Sequence, residues 1–203
     1  MTENKKNNSE NPIYTLQKKL EKELSPKRYN HTLGVMYTAA ALAMRHDPSV
    51  MEQAMTAGLL HDCAKGIPYQ EQYRLCMEHQ IPLSEVEEKN HALLHAKLGE
   101  WMAKNKYNLK DEKILHAIKV HTTGCPDMSL LEKIIYISDY IEPGRNKAHH
   151  LPEIRTLSFQ NIDLAVEKIA FDVLSYLKKQ NGPTDELTIA TWEWYHHKNK
   201  EIY

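Results

Sequence analysis

The 203-residue sequence contains only three cysteines, Cys63, Cys76 and Cys125, and no CxxC spacing. So small and odd a set supports neither a disulfide framework nor a zinc ribbon, and reduced thiols point to the cytoplasm. No apolar run reaches the roughly 18 residues of a transmembrane helix. Neither charge sign dominates: 26 Lys plus Arg face 27 Asp plus Glu. No global field therefore draws DNA or an anionic membrane. Residues 1–11, MTENKKNNSEN, lack the apolar segment of a signal peptide and are expected to be a disordered polar start. Phenylalanine is scarce, two residues against twelve histidines. No histidine run exceeds two, which excludes an affinity tag.

What remains reads as helix. The apolar fraction, 41%, is ordinary for a globular chain. Strand-like alternation is rare, and Gly and Pro fall at boundaries. Ile13, Leu16, Leu20 and Leu24 form one apolar stripe. Ser25-Pro26 and Asp47-Pro48 each combine an N-cap with proline at the first helical position. They open helices to about His46 and about Cys63. Further helices are expected over about 68–78, 91–106, 111–121, 129–141, 160–180 and 185–199, with a short turn opened by Ser84. Ser84 with Glu87 and Ser129 with Glu132 match capping boxes. Residues 142–152 read as a loop. There is no repeat and no linker, so one compact all-helical domain over residues 12–199 is expected. Met36, Met44, Met51 and Met55 are expected in the core.

One stretch does not fit a plain helix end. In "LLHDCAK", His61 and Asp62 stand side by side, and both can ligate metal. Chance alone gives about half an HD pair in such a chain, so the dipeptide is weak by itself. His46-Asp47 is the second pair, and N-capping explains it. His61-Asp62 has no such role. Asp139 lies deep in the apolar run "IIYISDYIEP", where a carboxylate is costly unless paired or metal-bound. His31 lies just inside its own helix, in "RYNHTLG". Imidazole with carboxylate suits Fe, Mn, Zn, Co or Ni better than Ca or Mg. His91 and His95 share a helix face, but the zincin glutamate is absent, and His91 reads as a surface or supporting residue. His79, His116, His149, His150, His196 and His197 read as surface or cap residues.

The order H…HD…D resembles the HD-domain superfamily of metal-dependent phosphohydrolases. "RYNHTLGVMYTAAALA", "AGLLHDCAK" and "HTTGCPDMSLLEKIIYISDYIEPGR" resemble, more closely, the YqeK family of HD-domain proteins, over roughly residues 24–190. The resemblance implies an all-α HD-domain helical bundle and symmetrical hydrolysis of diadenosine tetraphosphate to two ADP. It implies an iron-type centre held by His31, His61, Asp62 and Asp139, with Co, Mn, Ni or Zn as alternatives. One ion is expected. A second, bridged by Asp62 toward His95 and His121, is in doubt, because HD-GYP relatives carry two successive histidines where this chain has His121-Thr122.

Asp62, Lys65, His95 and His121 are then the expected catalytic residues. Phosphate or nucleotide is expected at Arg28, His31, Asp62, His95, His121, Thr122, Asp139 and Arg145. Base and ribose are expected at "GPTDEL": Gly182, Pro183, Thr184, Asp185, Glu186 and Leu187. A plain surface role stays open for Lys65. The implied partner is a dinucleoside polyphosphate or an ADP- or GDP-type nucleotide, and a homodimer is compatible with this. Another HD nucleotidase or phosphodiesterase, or a nucleotide-binding regulator, stays open as an alternative.

Overall fold

Start signals in the sequence become helix starts in the computed structural model, which describes residues 11–202 apart from the side chains of His91 and Ile202. Ser25 accepts a hydrogen bond from Arg28 N and opens α2 (Pro26–His46), after α1 (Pro12–Glu23). Asp47 caps a 3-10 turn, Pro48–Val50, that leads into α3 (Met51–Leu60). Next come α4 (Tyr69–Glu78), α5 (Glu85–Lys89), α6 (His91–Asn105) and α7 (Glu112–Val120). The chain closes with α8 (Leu130–Ile141), α9 (Leu151–Gln160), α10 (Ile162–Lys179) and α11 (Glu186–Ile202). Both capping boxes form, at the starts of α5 and α8. Among the described residues the fold is all-α, and no helix is long and apolar enough to cross a membrane. Most of residues 1–11, expected to be disordered, lie outside the described residues.

The core gathers around α2, α3, α7 and α8, whose Met36, Leu42, Leu59, Leu60, Ile118, Ile134 and Ile135 are buried. Small residues let α2 and α3 approach closely. A methyl group at Gly58 would lie 2.9 Å from the Cα of Met36, so only glycine fits there without moving a backbone. That contact brings the ring of His31, one turn into α2, to 5.4 Å from the ring of His61, just past the end of α3.

Three expectations need correction. The loop expected over 142–152 ends at His150, and Leu151–Gln160, where no helix was expected, forms α9. Its N-cap, His150, sits at φ 54° and gives no side-chain cap, so the usual polar signal is missing. Asn161 separates α9 from α10 and caps the latter. The helix expected through Cys63 stops at Leu60, and His61 to Gly66 are turns. Met44 is exposed, on the face that also exposes Tyr37 seven residues earlier, whereas Met36 is buried and Met51 and Met55 pack partly buried on the core.

Candidate active site

The turn after α3 delivers two ligand-type side chains into the core at once. His61 is wholly buried and Asp62 nearly so. His61 Nδ1 donates to Gly58 O at 2.7 Å, so its Nε2 lone pair faces inward. His31 does the same with a different partner: its Nδ1 lies 3.1 Å from Glu142 Oε1. The two Nε2 atoms then meet two carboxylates. His31 Nε2 lies 3.0 Å from Asp139 Oδ1 and 3.6 Å from Asp62 Oδ2. His61 Nε2 lies 3.4 Å from Asp62 Oδ2 and 3.9 Å from Asp139 Oδ1.

Neither Nε2 atom makes a hydrogen bond, although both are buried. Lone pairs facing carboxylate oxygens at such distances repel unless a positive charge stands among them. The pKa shifts show the same demand. Burial pushes the His61 value down, but Asp62 and then Asp139 raise it overall. Burial pushes Asp62 up, yet His61, His121 and His95 hold it well below the usual carboxylate range. Asp139 is likewise held low against burial by His31, His61 and Arg145. These residues fit a divalent cation, of the kind that imidazole and carboxylate share.

A second cluster shares Asp62. His121 Nδ1 donates to Ile118 O at 2.7 Å, and its Nε2 lies 3.7 Å from Asp62 Oδ1. His95 Nε2 lies 3.1 Å from that oxygen and 3.2 Å from His121 Nε2. Lys65 is no solvated lysine: its Nζ sits 3.1 Å from His95 Nδ1 and 3.2 Å from His95 Nε2. The ammonium thus lies against the His95 ring near both nitrogens, while His95 Nε2 faces Asp62 Oδ1. Burial first, with help from His121 and Lys65, pushes His95 down to about 4, so it is neutral at pH 7. Burial also lowers Lys65.

Cations surround the pair of aspartates. Arg28 binds Asp62 Oδ2, and Arg145 binds Asp139 through Oδ1 and, at 2.8 Å, the backbone O. Glu142 went unnoticed in the sequence, because it follows the end of α8 and reads as a loop carboxylate. Its carboxylate is buried against α2, where a methyl group at Gly34 would lie 2.7 Å from Oε2. Asp62, Asp139 and Glu142 thus balance Arg28, Lys65 and Arg145 in formal charge, and a bound divalent cation would leave the centre positive.

A cleft of about 280 Å³ opens beside this centre. His121, Thr122 and Asp139 of the site line it together with Pro183, Asp185 and Thr188. Leu93, Ile169, Val173 and Leu177 make it largely apolar. Of the six residues from Gly182 to Leu187, only Pro183 and Asp185 line it. Glu186 and Leu187 face a separate groove with Ser84 and Lys97. Tyr136 and Tyr140 also line the cleft and went unnoticed, because their helix reads as plain core. His91, read as a surface or supporting residue, has a side chain outside the described residues.

The family model for the HD domain matches residues 28–144, which include both aspartates and all four site histidines. The chain belongs to the HD-domain family. It is 35% identical, over 86% of its length and 92% of the relative's, to a Bacillus subtilis protein named symmetrical bis(5′-nucleosyl)-tetraphosphatase. A Staphylococcus aureus protein of the same name is 31% identical over 91% of this chain and 95% of its own. A Clostridium acetobutylicum crystal structure, described as a predicted HD superfamily hydrolase involved in NAD metabolism, superposes with a TM-score of 0.86 at 36% identity. That match covers 91% of this chain and 97% of the other.

Proposed function

We propose that this HD-domain protein is a metal-dependent phosphohydrolase that cuts diadenosine tetraphosphate symmetrically into two ADP. The observation that carries the chemistry is the pair of buried, unbonded imidazole Nε2 atoms facing Asp62 and Asp139. The substrate rests on the activity named for the Bacillus and Staphylococcus relatives. His31, His61, Asp62 and Asp139 would hold one ion, and iron is our reading of it. Bound there, the ion supplies Lewis acidity, which activates water and polarises a phosphoryl oxygen.

The chain's own residues do the rest. Arg28 and Arg145 exchange an aspartate oxygen for phosphate oxygens when substrate enters, with the planar fork that suits them to it. Lys65 places its ammonium beside His95 and Asp62, where it neutralises charge on the departing diphosphate. A terminal phosphate with a second pKa of about 6 needs little protonation to leave. Neutral His95, in contact with both Lys65 and Asp62, therefore serves better to hold the two in place than as a general acid. The positive charge of Lys65 beside His95 also opposes a second ion on that histidine, which favours a single ion. The cleft takes one nucleoside, with Pro183 and Asp185 in its wall.

The test is metal analysis of protein purified without oxygen, then turnover of diadenosine tri-, tetra- and pentaphosphate with iron, cobalt or manganese. Bound iron and preference for the tetraphosphate are expected. No turnover with any of these metals would overturn the reading.

A further inference from the structure

Arg155 lies outside the site described above, on α9, and makes an unusual set of bonds. Its Nε donates to Ile141 O at 3.0 Å. Its Nη2 donates to Glu142 O at 3.1 Å and to Arg145 O at 3.0 Å. One guanidinium thus closes three backbone carbonyls around the turn that follows α8. The last residues of a helix leave carbonyls without partners, and a fork of fixed donors satisfies several at once.

That turn carries two residues of the centre. Glu142 sends its carboxylate back to His31 Nδ1 and also accepts from Gly144 N. Arg145 reaches Asp139 from the other end of the turn. The path from Arg155 to the centre is therefore short: guanidinium, Glu142 backbone, Glu142 carboxylate, His31 ring. A second tie fixes the start of α9. His150 Nδ1 lies 2.9 Å from Asp172 Oδ1, so the start of the helix bearing Arg155 is anchored to α10.

We propose that Arg155 is a positioning residue for the metal centre, setting the turn 141–145 so that Glu142 orients His31 as a ligand. It touches neither metal nor substrate. Partners of this outer kind fix the tautomer and direction of a ligating histidine, and their loss typically weakens metal affinity about 10- to 100-fold. The inference rests on the reading of His31 as a ligand.

The experiment is a cobalt(II) titration of metal-free protein, read by visible absorbance in competition with a chelator, beside melting temperatures of the same metal-free samples. The variants are Arg155→Ala, Arg155→Lys, Glu142→Gln and the double variant Arg155→Ala with Glu142→Gln. Arg155→Ala should weaken cobalt binding at least tenfold, about the lower end of such effects. Arg155→Lys, which keeps a charge but loses the fork, should fall between it and wild type. The double variant should bind no worse than the weaker single variant, because both act on one path. Lower melting temperatures with unchanged cobalt affinity would overturn the proposal and leave Arg155 a purely structural residue. Additive losses in the double variant would overturn the route through Glu142. Failure of wild type to bind cobalt would instead overturn the metal site itself, and the inference with it.

Discussion

Replacing Gly58 by alanine tests how the helix packing makes the site. Helix propensity alone favours the change, by about 1 kcal/mol. Packing opposes it. The added methyl would lie 2.9 Å from Met36 Cα and 3.1 Å from Met36 N. These are backbone atoms, so no side chain can rotate away, and α2 must move off α3. Overpacking of this kind costs about 1–3 kcal/mol, and a backbone clash belongs at the upper end. The net expectation is a loss of about 2 kcal/mol, or about 4–8 °C in melting temperature for a chain of this size. The same shift separates His31 from His61 and disturbs Gly58 O, which accepts from His61 Nδ1. Cobalt affinity should therefore fall together with stability. Thermal unfolding of the metal-free protein and a cobalt titration read the two effects. A variant stabilised by about 1 kcal/mol, with unchanged affinity, would refute the close contact and its link to the site.

Lys65→Met keeps the alkyl stem and removes the ammonium, so kcat should drop about a hundredfold, as for loss of one oriented donor; a drop of less than threefold would return Lys65 to a structural role. Chelation should lower the melting temperature as well as abolish turnover, because an ion present at a hundred times its Kd contributes about 2.7 kcal/mol; equal melting curves with and without chelator would show that no ion binds. Asp163 is bonded by Lys133 at 2.7 Å and Lys198 at 2.8 Å, and these hold its carboxyl below its ordinary value against burial. A lowered folded pKa contributes stability above the unfolded value, and that stability is lost as pH falls through the folded one. Asp163→Asn should thus cost about 2 kcal/mol at pH 7, and the cost should shrink as pH falls below the ordinary carboxylate range, as measured by urea unfolding across pH; a pH-independent difference would contradict the assignment.

The parts of this protein legible in its sequence are those whose chemistry is locally out of place. Asp139 announces itself because a carboxylate in an apolar helix needs a partner, and His61-Asp62 because no cap role explains it. The helices with polar caps were legible for the same local reason. α9 was not, since His150 enters it at φ 54° with no side-chain cap. Glu142 and Arg155 stayed hidden because their importance arises from contacts between α2, α8 and α9, which no local pattern encodes. Lys65 was ambiguous until its contact with His95 was known, as a lysine one turn past a helix end is usually solvated. In the segment 182–187 only alternate residues face the cleft, and which ones depends on how α11 begins.

The most direct measurement is chromatography of the nucleotides released from diadenosine tetraphosphate by iron-loaded protein, with a chelated sample in parallel. ADP as the sole product, at two per substrate consumed and absent after chelation, is the expected result. AMP with ATP, or hydrolysis that survives chelation, would contradict a metal-dependent symmetrical cut.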